Sequence, residues 1–130
     1  MQAVTRYAKS GDVHIAYRVF GTGPRDLVLV PGTVSHVELY WELPASAYLL
    51  QRLARFARVI VFDKRGQGLS DRVADMSLDE RVGDLRAVLD ATGCHVKLPG
   101  VTVADFRDGK IRSYRTYFDD VSLIEQIVGV

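Results

Sequence analysis

Ser70, Cys94 and the three histidines His14, His36 and His95 are the side chains whose types could carry nucleophilic chemistry in this chain. Ser70 stands in Gly68-Leu69-Ser70-Asp71-Arg72. A serine nucleophile raised on a strained strand-to-helix turn uses the spacing G-x-S-x-G. Arg72 occupies the place of the second glycine, so Ser70 reads as a turn or cap residue. A serine also needs a general base to take its proton. His95 has no partner acid in a recognisable context, and that base cannot be assigned. Cys94 adjoins His95, but sequence neighbours seldom meet as nucleophile and base, so Cys94 reads as a plain thiol. Gly21-Thr22-Gly23 and Gly66-Gln67-Gly68 each begin a phosphate-binding G-x-G. Asp26 and Asp71 stand where the third glycine belongs, and both fail the dinucleotide fingerprint. No spacing of zinc or calcium ligands is present. No cofactor is expected.

The elements that would position these groups are read from periodicity. Val13 to Phe20 alternates and is rich in β-branched and aromatic residues, which predicts a strand. Gly21-Thr22-Gly23-Pro24 ends it. Leu27 to Val30 and Val59 to Phe62 are continuous apolar runs, the pattern of strands buried on both faces of a parallel sheet. Between them, Ala45 to Phe56 repeats as a helix with Leu49, Leu50, Leu53 and Phe56 on one face. A capping box of Ser77 and Glu80 opens the next helix, the glutamate reaching back. Leu78, Val82, Leu85 and Leu89 follow at helical spacing, and Gly93 is placed to cap the end. Strand, helix, strand, helix predicts an α/β fold with a mostly parallel sheet and helices on its faces.

The pattern changes after Gly93. Val101 to Phe106 and Lys110 to Phe118 alternate on either side of Asp108-Gly109, a strong two-residue turn, and so predict an antiparallel hairpin. A two-residue loop sets Phe106 opposite Ile111 and Asp105 opposite Arg112, a hydrophobic pair and an ion pair. Leu123, Ile124 and Ile127 suggest a short final helical turn.

Residues 1–94 resemble the N-terminal part of an α/β-hydrolase, of the actinobacterial type also found attached to adenylate cyclases. Val28-Leu29-Val30-Pro31-Gly32 matches the strand entering the oxyanion loop, and Trp41 follows that loop as in that group. Asp63-Lys64-Arg65-Gly66-Gln67-Gly68-Leu69-Ser70-Asp71 matches D-x-R-G-x-G-x-S. The resemblance implies a backbone oxyanion donor at Thr33, after the loop glycine. It also implies a nucleophile elbow, then an acid, then a histidine later in the chain. The sequence does not continue that way: no G-x-S-x-G occurs, and His14 and His36 precede every candidate serine.

Residues 95–130 resemble the last two strands of a SnoaL-like protein, in the family that shares the nuclear transport factor 2-like fold. Asp108-Gly109-Lys110-Ile111 and Tyr117-Phe118-Asp119 carry this likeness. In the related limonene epoxide hydrolase, paired acids and an arginine activate water against an epoxide. Asp119 matches the acid of the Y-F-D ending. The remaining groups come from an upstream strand absent here, so Asp119 is one member of an incomplete set, or a strand-end acid capping a turn.

Two readings follow. One is a hydrolase relative without its nucleophile elbow, non-catalytic or a fusion or remnant, such as a small-molecule or protein-binding fragment. The other is a SnoaL-like epoxide hydrolase, cyclase or isomerase, or a binding protein, completed by self-association. The ligand implied is a small apolar molecule. A self-contact is expected at an open sheet edge, unless Val96–Leu98 or Val101–Phe106 lies beside Leu27–Val30. The chain has 130 residues and a net charge of +1, which gives no electrostatic ground for nucleic acid or an anionic membrane. No apolar run approaches a membrane span, and no secretory signal is read at the N-terminus. A cytoplasmic protein is expected.

Overall fold

The computed structural model describes residues 3–31, 34–74, 77–94 and 100–118. The chain divides into two compact units, Met1–His95 and Val96–Val130. In the first, β1 (Arg6–Ser10), β2 (Val13–Phe20), β3 (Arg25–Leu29) and β4 (Ala57–Phe62) form one sheet in the order β1-β2-β4-β3. A 3₁₀ turn (Leu39–Trp41) and helix α1 (Pro44–Leu53) connect β3 to β4, and α2 (Leu78–Thr92) follows β4.

The sheet is mixed, which corrects the expectation of a mostly parallel one. β1–β2 and β2–β4 pair antiparallel; only β3–β4 is parallel. The continuous apolar runs of β3 and β4 do mark a parallel pair. They say nothing of β1, whose Arg6-Tyr7-Ala8-Lys9-Ser10 buries Ala8 alone and lacks an apolar run. A hairpin through Gly11 and Asp12 pairs Ser10 with Val13 and brings this polar edge strand against β2.

Side chains alternate across the sheet with a period of two, and each face has its own core. Ile15, Tyr17, Ile60 and Phe62 pack with Ala8, Val88 and Cys94 on the α2 face. Ala16, Phe20, Val59 and Val61 pack with Val37, Leu50 and Ala57 on the α1 face. Full burial of each large aliphatic residue contributes about 1.5–3 kcal/mol. Trp41 meets Phe20 edge-on, with ring centroids 4.7 Å apart.

Both helices bury narrower faces than their periodicity predicts. In α1 only Leu50 is buried; Leu49 is about half exposed, and the helix ends at Leu53, before the equally exposed Phe56. In α2 Asp84, Val88 and Thr92 are buried; of the expected series, Leu85 and Leu89 are partly buried against the same core, while Leu78 and Val82 are exposed. Apolar periodicity misses part of this face because two of its three buried residues are polar. The caps lie where expected. Ser77 accepts from the Glu80 N–H at 3.4 Å, and Gly93 closes the helix with φ 68°. The Glu80 carboxylate meets Arg65 at 3.1 Å.

In the second unit, β5 (Gly100–Arg107) and β6 (Lys110–Phe118) form a two-stranded antiparallel sheet. Asp108 and Gly109 both have positive φ, as a two-residue turn of this hand requires. Phe106 faces Ile111 as expected. Asp105 faces Ser113 rather than Arg112, because an irregularity between Asp105 and Phe106 shifts the register. The Ser113 hydroxyl bonds the Asp105 carboxylate at 2.9 Å in place of the expected ion pair. Val101–Phe106 lies in β5 and pairs with β6 within this unit. Val96–Leu98 and Leu123, Ile124 and Ile127 lie outside the described residues.

Candidate functional site

The loop leaving β4 is organised by Asp63, which has no exposed surface. Its backbone N–H donates to Ala16 O at 2.9 Å. Its Oδ2 accepts from the N–H groups of Val37 at 3.2 Å and Leu69 at 2.9 Å. Gly68 is required beside this carboxylate. A Cβ there would lie 2.1 Å from Oδ2, at a backbone φ of +51°. The acid, the glycine and the two received N–H groups together fix the loop's path.

Ser70 is tied into the same loop. Its hydroxyl donates to Asp63 O at 2.7 Å and accepts from the Ala16 N–H at 2.9 Å. Ser70 is 4% exposed. No histidine is among these partners, so its oxygen holds β2 to the loop instead of facing a base. Asp71 makes the next tie. Its N–H donates to His14 O, and its Oδ2 receives the His14 N–H at 2.7 Å and meets Nδ1 at 2.9 Å. These contacts, the backbone one first, hold the Asp71 carboxyl below its ordinary value. His36 Nδ1 accepts from the N–H groups of Glu38 and Leu39 and supports the 3₁₀ turn.

Arg65 turns inward from the loop and forms a two-pronged contact with Asp84, at 2.7 and 2.8 Å. Both side chains are almost fully buried. This pair fastens α2 to the end of β4. Cys94 is buried beyond α2, and burial, then the Asp26 carboxylate, push its thiol up. It is held as the thiol, the weaker nucleophile.

A crevice of about 180 Å³ opens at the carboxyl ends of β3 and β4. Leu29 and Val61, register partners at those ends, line it with Val30, Tyr40, Leu49 and Leu50. Open α/β sheets bind ligands outside the carboxyl ends of their strands. No charged side chain lines the crevice. Burial, then the Asp63 carboxylate, push the Tyr40 hydroxyl up, so it stays neutral. The space therefore suits a small, uncharged, apolar molecule. Sequence reading named none of these residues as a site. They come from β3, the 3₁₀ turn, α1 and β4, and no local spacing joins them.

Thr33, Asp119 and His95 lie outside the described residues. Among the described residues, no group of three or more His, Cys, Asp or Glu side chains could hold a metal ion. No helix among them is long and apolar enough to cross a membrane.

No protein-family model matches the chain, and no curated protein matches it. Solved structures do. A bromoperoxidase from Bacillus anthracis is similar at 28% identity and a TM-score of 0.57, over 69% of this chain and 32% of that one. An α/β-hydrolase from Sphaerobacter thermophilus is similar at 33% identity and a TM-score of 0.54, over 69% and 32%. An enol-lactonase from Burkholderia xenovorans shares the fold at 22% identity and a TM-score of 0.57, over 68% and 33%. The chain spans about a third of the length of these structures. Over the matched region it has the α/β-hydrolase fold and is a relative of that superfamily.

Proposed function

We propose that this α/β-hydrolase relative is a non-catalytic binding protein, which takes a small, uncharged, apolar molecule into the crevice at the carboxyl end of β3. The position of Ser70 supports this reading most directly. The one serine near an elbow-like spacing has its hydroxyl engaged by Asp63 O and the Ala16 N–H, while the nearby crevice is apolar and uncharged. Val28–Gly32, Trp41 and Asp63–Asp71 support the finer likeness to hydrolases of the actinobacterial, cyclase-associated type. The Asp108–Ile111 turn and Tyr117–Asp119 support a SnoaL-like origin for the tail.

A screen of the whole chain with short acyl esters and small epoxides tests the absence of catalysis. No turnover at high protein concentration is expected. Ester turnover lost in Ser70→Ala would overturn the reading. Epoxide turnover lost in Asp119→Asn would replace it with the SnoaL-like one. Binding is tested separately by amide NMR with toluene, which should shift Leu49, Leu50 and Val61; unchanged amides there would remove the crevice from the proposal.

A further inference from the structure

A second hollow, of about 440 Å³, lies on the α2 face of the sheet. Register explains its composition. Arg6 pairs with Tyr17, and Val19 with Ile60. Tyr17 and Ile60 belong to the core on the α2 side, and Arg58 lies two residues before Ile60, on the same face. Helix α2 stops at Thr92, and its last two residues, Ala91 and Thr92, reach the hollow. The hollow is bounded by Arg6, Tyr17, Val19 and Arg58 from the strands and by Thr92 at the helix end. Its volume falls within the range of about 300–1,000 Å³ usual for small-molecule sites.

The two arginines are not equivalent. Asp26 occupies the fork of Arg58 with contacts of 2.6 and 2.7 Å, which leaves that pair neutral. Arg6 is exposed and has no hydrogen bond or ion pair among the described residues. The hollow thus has one uncompensated guanidinium beside apolar walls from Val4 and Val19. A guanidinium receives a carboxylate through two parallel hydrogen bonds. A dianion would bring a second charge close to Asp26 and to the carboxyl end of α2, whose dipole is negative there. One cation and an apolar wall match one negative charge and an apolar tail.

The geometry points to this hollow as a binding site for a short-chain monocarboxylate, its carboxylate on Arg6 and its tail along Val4 and Val19. The site lies on the opposite sheet face from α1 and is independent of the crevice.

Amide NMR of the whole chain with sodium hexanoate, hexan-1-ol and hexylammonium chloride tests it. Hexanoate should saturably shift Val4, Arg6, Val19 and Thr92. Hexan-1-ol should bind at least tenfold more weakly there, and hexylammonium should cause no shift. Arg6→Gln should weaken hexanoate binding about tenfold without changing the dispersion of the spectrum, because Arg6 is exposed on an edge strand. Arg6→Lys, which keeps the charge and loses the fork, should fall between. Equal binding of hexanoate and hexan-1-ol, shifts confined to Leu49 and Leu50, or an unaltered affinity in Arg6→Gln would each overturn the assignment.

Discussion

Ser70 shows how one side chain can resemble a catalytic group and do something else. Its oxygen joins the end of β4 to the middle of β2 through two short hydrogen bonds. Removing it leaves buried backbone groups unsatisfied, a loss of about 1–3 kcal/mol. Ser70→Ala should lower stability by that amount in urea unfolding. The sequence signalled the role only by the missing second glycine; it could not show that Ala16, more than fifty residues earlier, supplies the partner. Asp26 is the residue through which pH acts on β3 and β4. Hydrogen bonding to Arg58 holds its carboxyl below the ordinary value of 3.8. A carboxyl depressed on folding stabilises above its unfolded value, and that stabilisation is lost as pH falls through the lower folded value. Asp26→Asn should therefore be less stable than the parent at pH 7. Urea titrations across pH should show the difference narrowing below about pH 4.

At the scale of elements, the parts with strong local signals were legible. The strand Val13–Phe20, the caps of α2 and the Asp108-Gly109 turn each depend on a few adjacent residues. What was not legible depends on distant partners. β1 is a strand because β2 lies beside it. The face that α2 buries was read only in part, through Leu85 and Leu89, because Asp84 enters the core only with Arg65, nineteen residues before it. The bulge at Asp105 likewise changes one cross-strand partner without altering the alternation that defines the hairpin. The Arg65–Asp84 pair carries the strongest prediction at this scale. Removing one partner of a buried ion pair costs up to about 3–5 kcal/mol, and with Asp84 gone the Glu80 carboxylate, 3.1 Å from Arg65, offsets part of that loss. Asp84→Ala should lose stability of that order by denaturant unfolding, while a charge-removing change at exposed Asp79 should have little effect.

For the molecule as a whole, the first sheet ends at β3 among the described residues. All five of its residues are partly exposed, and Val30 beyond it is 60% exposed. A bare strand edge is a template for pairing with another chain. We propose that copies of this chain meet there, and size-exclusion chromatography should show an apparent mass that rises with concentration; a sharp, concentration-independent monomer would count against it. The other end of β4 has a different consequence. Asp63 receives N–H groups from segments on either side of it in sequence and gives its own to β2. Local opening in proteins occurs in contiguous cooperative units. The amides of Ala16, Val37, Asp63 and Leu69 should therefore share one hydrogen-exchange free energy, measurable by native-state exchange in low denaturant. Exposed amides in α1 should exchange independently of them. Asp63, with Ser70 on Ala16, thereby makes four dispersed residues a single thermodynamic unit, which opens and closes together.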